Sequence, residues 1–269
     1  MPDARSSDAP PPAVSQWLQT GFHAFIHPYL RRHFHCIGVC REGFDLRRVE
    51  PGPPVIIFGN HPSWWDPLLA HYLNRRLLGG RQFHAPIDAA ALRQYRVFEK
   101  LGFYGIELGT TSGAAAFLKT SMAILASGTT ALWITPEGRF CDPRDHAAEL
   151  MPGLAHLCTK LDRGLVIPMA LEYPFWEERL PMCLANFGEP IDATTTRGWD
   201  KATWNAKLHQ RLRSAQRDLS GVVIARESAA IDPLMLGRVG AGIFYDTMRR
   251  FKSWLTRSTF QPGHGEHFR

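Results

Sequence analysis

A chain of 269 residues with 45% hydrophobic residues is long enough to enclose a sizeable core, as one main α/β domain with short appendages. Its 31 Lys and Arg against 25 Asp and Glu leave a formal net charge of +6, which favours anionic partners such as a phospholipid surface or an acidic carrier protein. No nucleic-acid partner is expected, because zinc-finger spacing, an RNP-like segment and long Lys/Arg runs are all missing.

The first residues, MPDARSSDAPPPA, are acidic and proline-rich where a signal peptide would be basic and then apolar, so 1–13 reads as a disordered leader. Val14, Leu18, Phe22, Phe25 and Tyr29 then recur at helical spacing, with Gln16, Thr20, His23 and His27 on the opposite face. This predicts an amphipathic helix that ends near Pro28, followed by Arg31, Arg32 and His33. Residues 14–42 are accordingly expected to lie against an anionic membrane surface. No run of eighteen strongly apolar residues occurs, so the expected attachment is peripheral.

Five cysteines, Cys36, Cys40, Cys141, Cys158 and Cys183, are odd in number and lack C-x-x-C spacing, which fits a reduced cytosolic setting. His33, His35, Cys36 and Cys40 have no second ligand pair, and no metal site is expected there.

Short β-like runs follow at Cys36–Cys40, Val55–Phe58, Thr130–Thr135 and Leu165–Leu171, with helical runs between them. One of these, from Ala114 to Leu125, carries Ala115, Leu118, Met122 and Leu125 at helical spacing. The alternation predicts an α/β fold, a mixed and largely parallel sheet flanked by helices, occupying 43–195. From 196 to 269 a helical extension is expected, with Leu208, Leu212 and Leu219 buried, and with a basic amphipathic helix around Phe244, Met248, Phe251 and Leu255 near the end.

The chemistry concentrates at two strand ends. The strand VIIF runs into Gly59, Asn60 and His61, and NHPSWWDP brings Ser63, then Asp66 followed by Pro67. Pro in a first helical turn places Asp66 at or just inside a helix start, from which its carboxylate can fold back to the His61 ring. A His at the carboxyl end of a parallel strand stands where open α/β sheets place their active sites. A His is suited to taking a proton near neutral pH, and a carboxylate on one ring nitrogen leaves the other free to take it. The alternative is an Asp that merely caps a helix beside an unrelated His. The second strand end, TALWIT, runs into Pro136, Glu137, Gly138 and Arg139. Ser63 can also be a plain helix cap, Trp64 and Trp65 can be channel wall or core, and Lys119 reads as a surface residue. Pro168, inside an apolar run, suggests a strand end or bulge and a wall of the site.

NHPSWWD, ITPEGRF, VIPMA and FGEPI, in this order over roughly 43–191, resemble the blocks of the glycerophospholipid acyltransferases typified by 1-acylglycerol-3-phosphate acyltransferase. The resemblance implies direct acyl transfer from acyl-CoA or acyl-carrier protein to a lipid acceptor, with no cofactor, metal or covalent acyl-enzyme. It makes His61 and Asp66 the catalytic pair, and Asn60, Ser63, Glu137, Gly138, Arg139 and Pro168 the substrate-binding residues. It also implies a peripheral place on the cytoplasmic face of the inner membrane. The absence of a G-x-S-x-G elbow agrees with direct transfer. One position departs from the family pattern: in GFYGIELG, Leu108 stands where an Arg that binds the acceptor's phosphate is usual, and Leu offers a phosphate no hydrogen bond. Either Arg139 substitutes, or the acceptor lacks a phosphate. A thioesterase-like hydrolase and a non-catalytic lipid-binding protein are the competing readings.

Overall fold

The computed structural model describes residues 13–238, so most of the leader and the helix expected around Phe251 lie outside the described residues. Within them, nine strands form a single sheet in the order β4-β3-β5-β2-β6-β7-β1-β9, with the short β8 paired to the start of β6. The strands are β1 (Cys36–Cys40), β2 (Val55–Gly59), β3 (Gln82–Asp88), β4 (Phe103–Ile106), β5 (Thr130–Ile134), β6 (Leu165–Glu172), β7 (Met182–Phe187), β8 (Ile191–Asp192) and β9 (Ile231–Leu236). β4, β3, β5, β2 and β6 run parallel. β7 turns antiparallel to β6, β1 follows β7 in parallel, and β9 closes the edge antiparallel to β1. This is the expected mixed, largely parallel α/β sheet.

Helices cover both faces. On one side lie α1 (Gln16–His33), α2 (Asp66–Leu77), α3 (Ala89–Gln94) and α4 (Val97–Leu101). On the other lie α5 (Thr111–Ala126), α6 (Pro152–Cys158) and α7 (Lys201–Ala225). Burial on both faces explains why the central strands read as continuous apolar runs, VIIF and TALWI, without alternation.

Four features differ from the sequence reading. First, α1 does not stop near Pro28 but continues to His33. Pro28 and Ala24, four residues earlier, are both exposed, so water can satisfy the carbonyl that loses its N–H partner. Second, the buried stripe of α1 is Leu18, Phe22, Ile26 and Leu30, whereas Phe25 is exposed. His23, assigned to the polar face, packs on the ring of His71. Fully burying Ile26 and Leu30 contributes about 1.5–3 kcal/mol each, so this helix is part of the core and β1, inside the 14–42 segment, is a central strand. Third, α5 buries Gly113, Phe117, Ser121, Ala123, Ile124 and Leu125; of the stripe read from spacing, Leu125 is buried and Leu118 and Met122 pack part-buried on the core, whereas Ala115 faces solvent. Fourth, the C-terminal region is not purely helical: α7 buries Leu208, Leu212 and Leu219, but Ile231–Leu236 is a strand completing the sheet beside β1.

Pro168 sits inside β6, at neither an end nor a bulge. Its carbonyl accepts from Gly188 N on the side where β6 changes partner from β8 to β7. A residue's N and C=O point the same way in a strand, so the missing donor falls in the gap between two partner strands, where no ladder bond is forfeited.

Candidate active site

The register of β2 against β5 builds the site. Phe58 pairs with Ile134, so the chain ends level on neighbouring strands, and three residues further on each side stand His61 and Glu137. The Glu137 carboxylate accepts the backbone N–H of His61 at 2.9 Å, and the His61 carbonyl accepts from Cys141 N at 3.0 Å. Both backbone groups of His61 are thus held by the loop that follows β5.

Asp66 opens α2 behind a tight turn in which its N–H donates to the Ser63 carbonyl, with Pro67 in the first turn. Its Oδ2 lies 2.6 Å from His61 Nδ1, and the same oxygen accepts Ser63 N at 3.2 Å. The other oxygen, Oδ1, accepts the hydroxyl of Tyr173 at 2.5 Å. Asp66 is 4% exposed and His61 19%, so the carboxylate sits inside and the imidazole at the boundary. With Nδ1 occupied, Nε2 is the nitrogen free to receive a proton.

His61 and Asp66 open onto a cavity of about 470 Å³. Its deeper walls are apolar: Ile57, Ala70, Phe83, Ala85, Trp133 and Met169. Its mouth carries Glu107, Leu108, Gly138, Arg139 and Phe140, with the Phe140 ring 4.5 Å from that of His61. Gly138 has φ +64, a left-handed conformation that favours glycine, and a Cβ there would displace the Met151 sulfur, 2.3 Å away.

The remaining sequence candidates separate into lining and framework. Gly138 and Arg139 line the cavity. Asn60 does not: its amide donates to the Leu171 carbonyl and accepts from Leu171 N, closing the β2–β6 seam. Ser63 turns inward as well, its Oγ accepting from Trp65 N. Glu137 is framework too, for its Oε1 accepts from Arg213 of α7 at 3.0 Å in an ion pair that is 4% and 1% exposed. Pro168 is not in the wall, and its neighbour Met169 is. Of the two tryptophans, Trp65 packs on the core and Trp64 is exposed. Lys119 lies exposed on α5.

Tyr173 and Arg213 escaped the sequence reading. Tyr173 lies just past the end of β6, in a Glu-Tyr-Pro run with no motif character. Arg213 is one of many charged residues on a polar helix. Its position in the stripe between Leu212 and Gln216, both buried, was the only available signal.

A model of the acyltransferase family matches residues 40–172. Comparison with curated proteins gives no match. Among solved structures, the 1-acyl-sn-glycerophosphate (LPA) acyltransferase PlsC from Thermotoga maritima superposes with a TM-score of 0.48 at 15% identity, over 77% of this chain and 80% of that one.

Proposed function

We propose, from the premise that residues 40–172 are a domain of the acyltransferase family, that this protein transfers a fatty acyl group from a thioester, on coenzyme A or acyl-carrier protein, to a hydroxyl of a lipid acceptor. The observation that carries the proposal is the His61–Asp66 contact of 2.6 Å at the mouth of an apolar cavity. In this reading the acyl chain occupies the deeper walls, where each buried methylene contributes about 0.8 kcal/mol of binding. His61 Nε2 takes the acceptor's hydroxyl proton as its oxygen attacks the thioester carbon. Asp66 holds the tautomer and stabilises the imidazolium. Collapse of the tetrahedral adduct breaks the C–S bond, and the departing thiolate recovers the proton from Nε2. No covalent acyl-enzyme forms.

Incubation with radiolabelled acyl-CoA and mixed lysolipids tests this: labelled lipid supports transfer, whereas labelled free fatty acid alone supports thioester hydrolysis by the same pair. No product in either form would favour a non-catalytic lipid-binding role.

Among the described residues no helix is long and apolar enough to cross a membrane. For membrane attachment we favour the rim of the cavity over α1. Trp64, Leu108, Phe140 and Phe175 are exposed on the loops that follow the carboxyl ends of β2, β4, β5 and β6, and Leu108 and Phe140 line the opening through which lipids would enter. Substituting Trp64 and Phe175 together by Ser should weaken cosedimentation with phosphatidylcholine/phosphatidylglycerol vesicles. Unchanged binding would return the anchor to the outer face of α1 or to the chain beyond residue 238.

A further inference from the structure

The buried side of Asp66 presents a problem that the catalytic pair alone does not solve. A carboxylate shielded from water needs a donor on each oxygen, because a charged acceptor left without one in the interior loses its solvation with nothing in exchange. Oδ2 has two donors, His61 Nδ1 and Ser63 N. Oδ1 points away from His61 towards β6 and β7, and its donor is the hydroxyl of Tyr173.

We propose that Tyr173 is a positioning residue for acyl transfer, its hydroxyl fixing the carboxylate plane of Asp66 and moderating the charge that Asp66 presents to the His61 imidazole. The assignment rests on His61 acting as the base. The geometry supplies two parts of the argument. Donors on both oxygens prevent rotation of the carboxylate about its Cβ–Cγ bond, so the 2.6 Å contact to Nδ1 keeps its direction. The tyrosine is itself held, with its ring packed against Phe34 and the thiol of Cys183 beside its hydroxyl. Burial pushes the Tyr173 hydroxyl well above the ordinary phenol range, so it remains a neutral donor throughout the working pH range.

The consequence has a sign. A hydrogen bond to Oδ1 withdraws charge from the carboxylate. Removing it makes Asp66 a stronger partner for the protonated imidazole, which stabilises the inactive acid form of the base. The charged and titratable groups around the pair are Glu137 on the His61 backbone with Arg213 behind it, Glu107, Asp88 and Arg139 on the cavity wall, and Cys36 and Cys183 on the β1/β7 side. Of these, a variant confined to Tyr173 touches only Cys183, whose buried thiol loses its hydrogen bond to the Tyr173 hydroxyl.

The test compares Tyr173→Phe with the wild-type enzyme over pH 5 to 9, using acyl-CoA and a lysolipid acceptor. Expected are a fall in kcat of about tenfold, a KM within about twofold, and an acid limb of kcat/KM moved to higher pH. Incorporating 3-fluorotyrosine at position 173, which keeps the shape but donates more strongly, should move that limb to lower pH and remains informative if the Phe variant fails to fold. Opposite movements in the two variants support the proposal. An unmoved limb in both, or a raised KM and lowered thermal stability with no change of limb, overturns it and leaves Tyr173 a packing residue. His61→Ala, run in parallel, separates this outcome from failure of the base itself.

Discussion

The two sides of the His61 ring are built on different principles. Behind it, Asn60, Asp66, Glu137 and Arg213 are buried, and each is hydrogen-bonded within the protein. In front of it, Leu108, Gly138, Arg139 and Phe140 are exposed at the cavity mouth. This buried polar network, satisfied except at the Arg213 Nε, is rigid, and it loses much if one member is removed. An exposed rim can change residue by residue at little cost to the fold. Under the proposed function, the rear wall would set the reaction and the front the choice of acceptor. The comparison can be broken by showing that rear-wall substitutions alter only specificity, or that rim substitutions abolish turnover.

The largest effect should come from the ring itself. Replacing His61 by Ala should lower kcat by about 10²–10⁴-fold, and Asp66→Asn nearly as much, because base and orienter act as a unit. Circular dichroism on the same samples checks the fold. Retention of more than about a tenth of wild-type kcat would mean that the proton goes elsewhere.

Next is Arg213, which contacts neither His61 nor the cavity lining. Arg213→Met strands the Glu137 carboxylate in the interior, and breaking a buried pair costs about 3–5 kcal/mol. The midpoint of urea unfolding should fall accordingly, and residual folded enzyme should lose kcat because Glu137 no longer fixes the His61 N–H. A variant as stable as the parent would show that α7 is not needed to brace the site.

The site was legible where local chemistry and strand ends coincide. His61, Asp66, Gly138 and Arg139 could be placed because a strand, a turn and a first-turn proline restrict where their side chains go. Glu137 was found, and its carboxylate turns inward to the His61 N–H and Arg213. Its position was readable and its partner was not, since Arg213 is 76 residues away in sequence and no periodicity links the two. Tyr173 was invisible for the same reason, being 107 residues from Asp66. In the fold, β1, β2, β5 and β6 were evident from their apolar runs. β3, β4, β7 and β8 escaped: QFHAPID and FYGI are interrupted by polar residues or glycine, MCLANF lacks any β-branched residue, and ID spans only two positions. β9 was taken for helix because IDPLML is too short to reveal its period.

The interior can also be probed by acid. Burial pushes His71 down to about 3 and His84 to about 4, and burial followed by the charge of Arg75 takes His23 to about 4, all from an ordinary 6.5. Lowered values mean that the unfolded chain binds protons the folded one refuses. Stability is therefore complete above pH 6.5 and declines as the pH falls from there towards 4. Each fully linked proton contributes a slope of about 1.4 kcal/mol per pH unit. His71, packed among the rings of Phe22, His23 and Phe83, should carry a large share. Urea unfolding of His71→Leu at pH 7, 5.5 and 4.5 should show a flatter decline than the parent. An equal slope would place the linkage elsewhere.

The smallest effect concerns the rim, where one substitution should redirect the enzyme without disabling it. Leu108 is 44% exposed and lines the mouth together with Arg139 and the carboxylate of Glu107. A phosphomonoester brings nearly two negative charges to a cavity wall that offers the guanidinium of Arg139 against the carboxylates of Glu107 and Asp88. Lysophosphatidic acid should therefore be a poorer acceptor than a lipid with a free hydroxyl and no terminal phosphate. Leu108→Arg adds a planar fork that can donate two aligned hydrogen bonds, so it should raise kcat/KM for lysophosphatidic acid by about tenfold, near the 1.5–3 kcal/mol of a charged hydrogen bond reduced by solvent screening. Activity on neutral acceptors should stay within about twofold, because a substitution at an exposed position seldom disturbs the interior. The measurement is kcat/KM on both acceptor types for the parent, Leu108→Arg and Arg139→Ala. A parent that already prefers lysophosphatidic acid, with the preference lost in Arg139→Ala, would make Arg139 the phosphate anchor and Leu108 a bystander. A collapse of all activity in Leu108→Arg would instead show that the rim belongs to the rigid part of the site, and the division between front and rear would have to be redrawn.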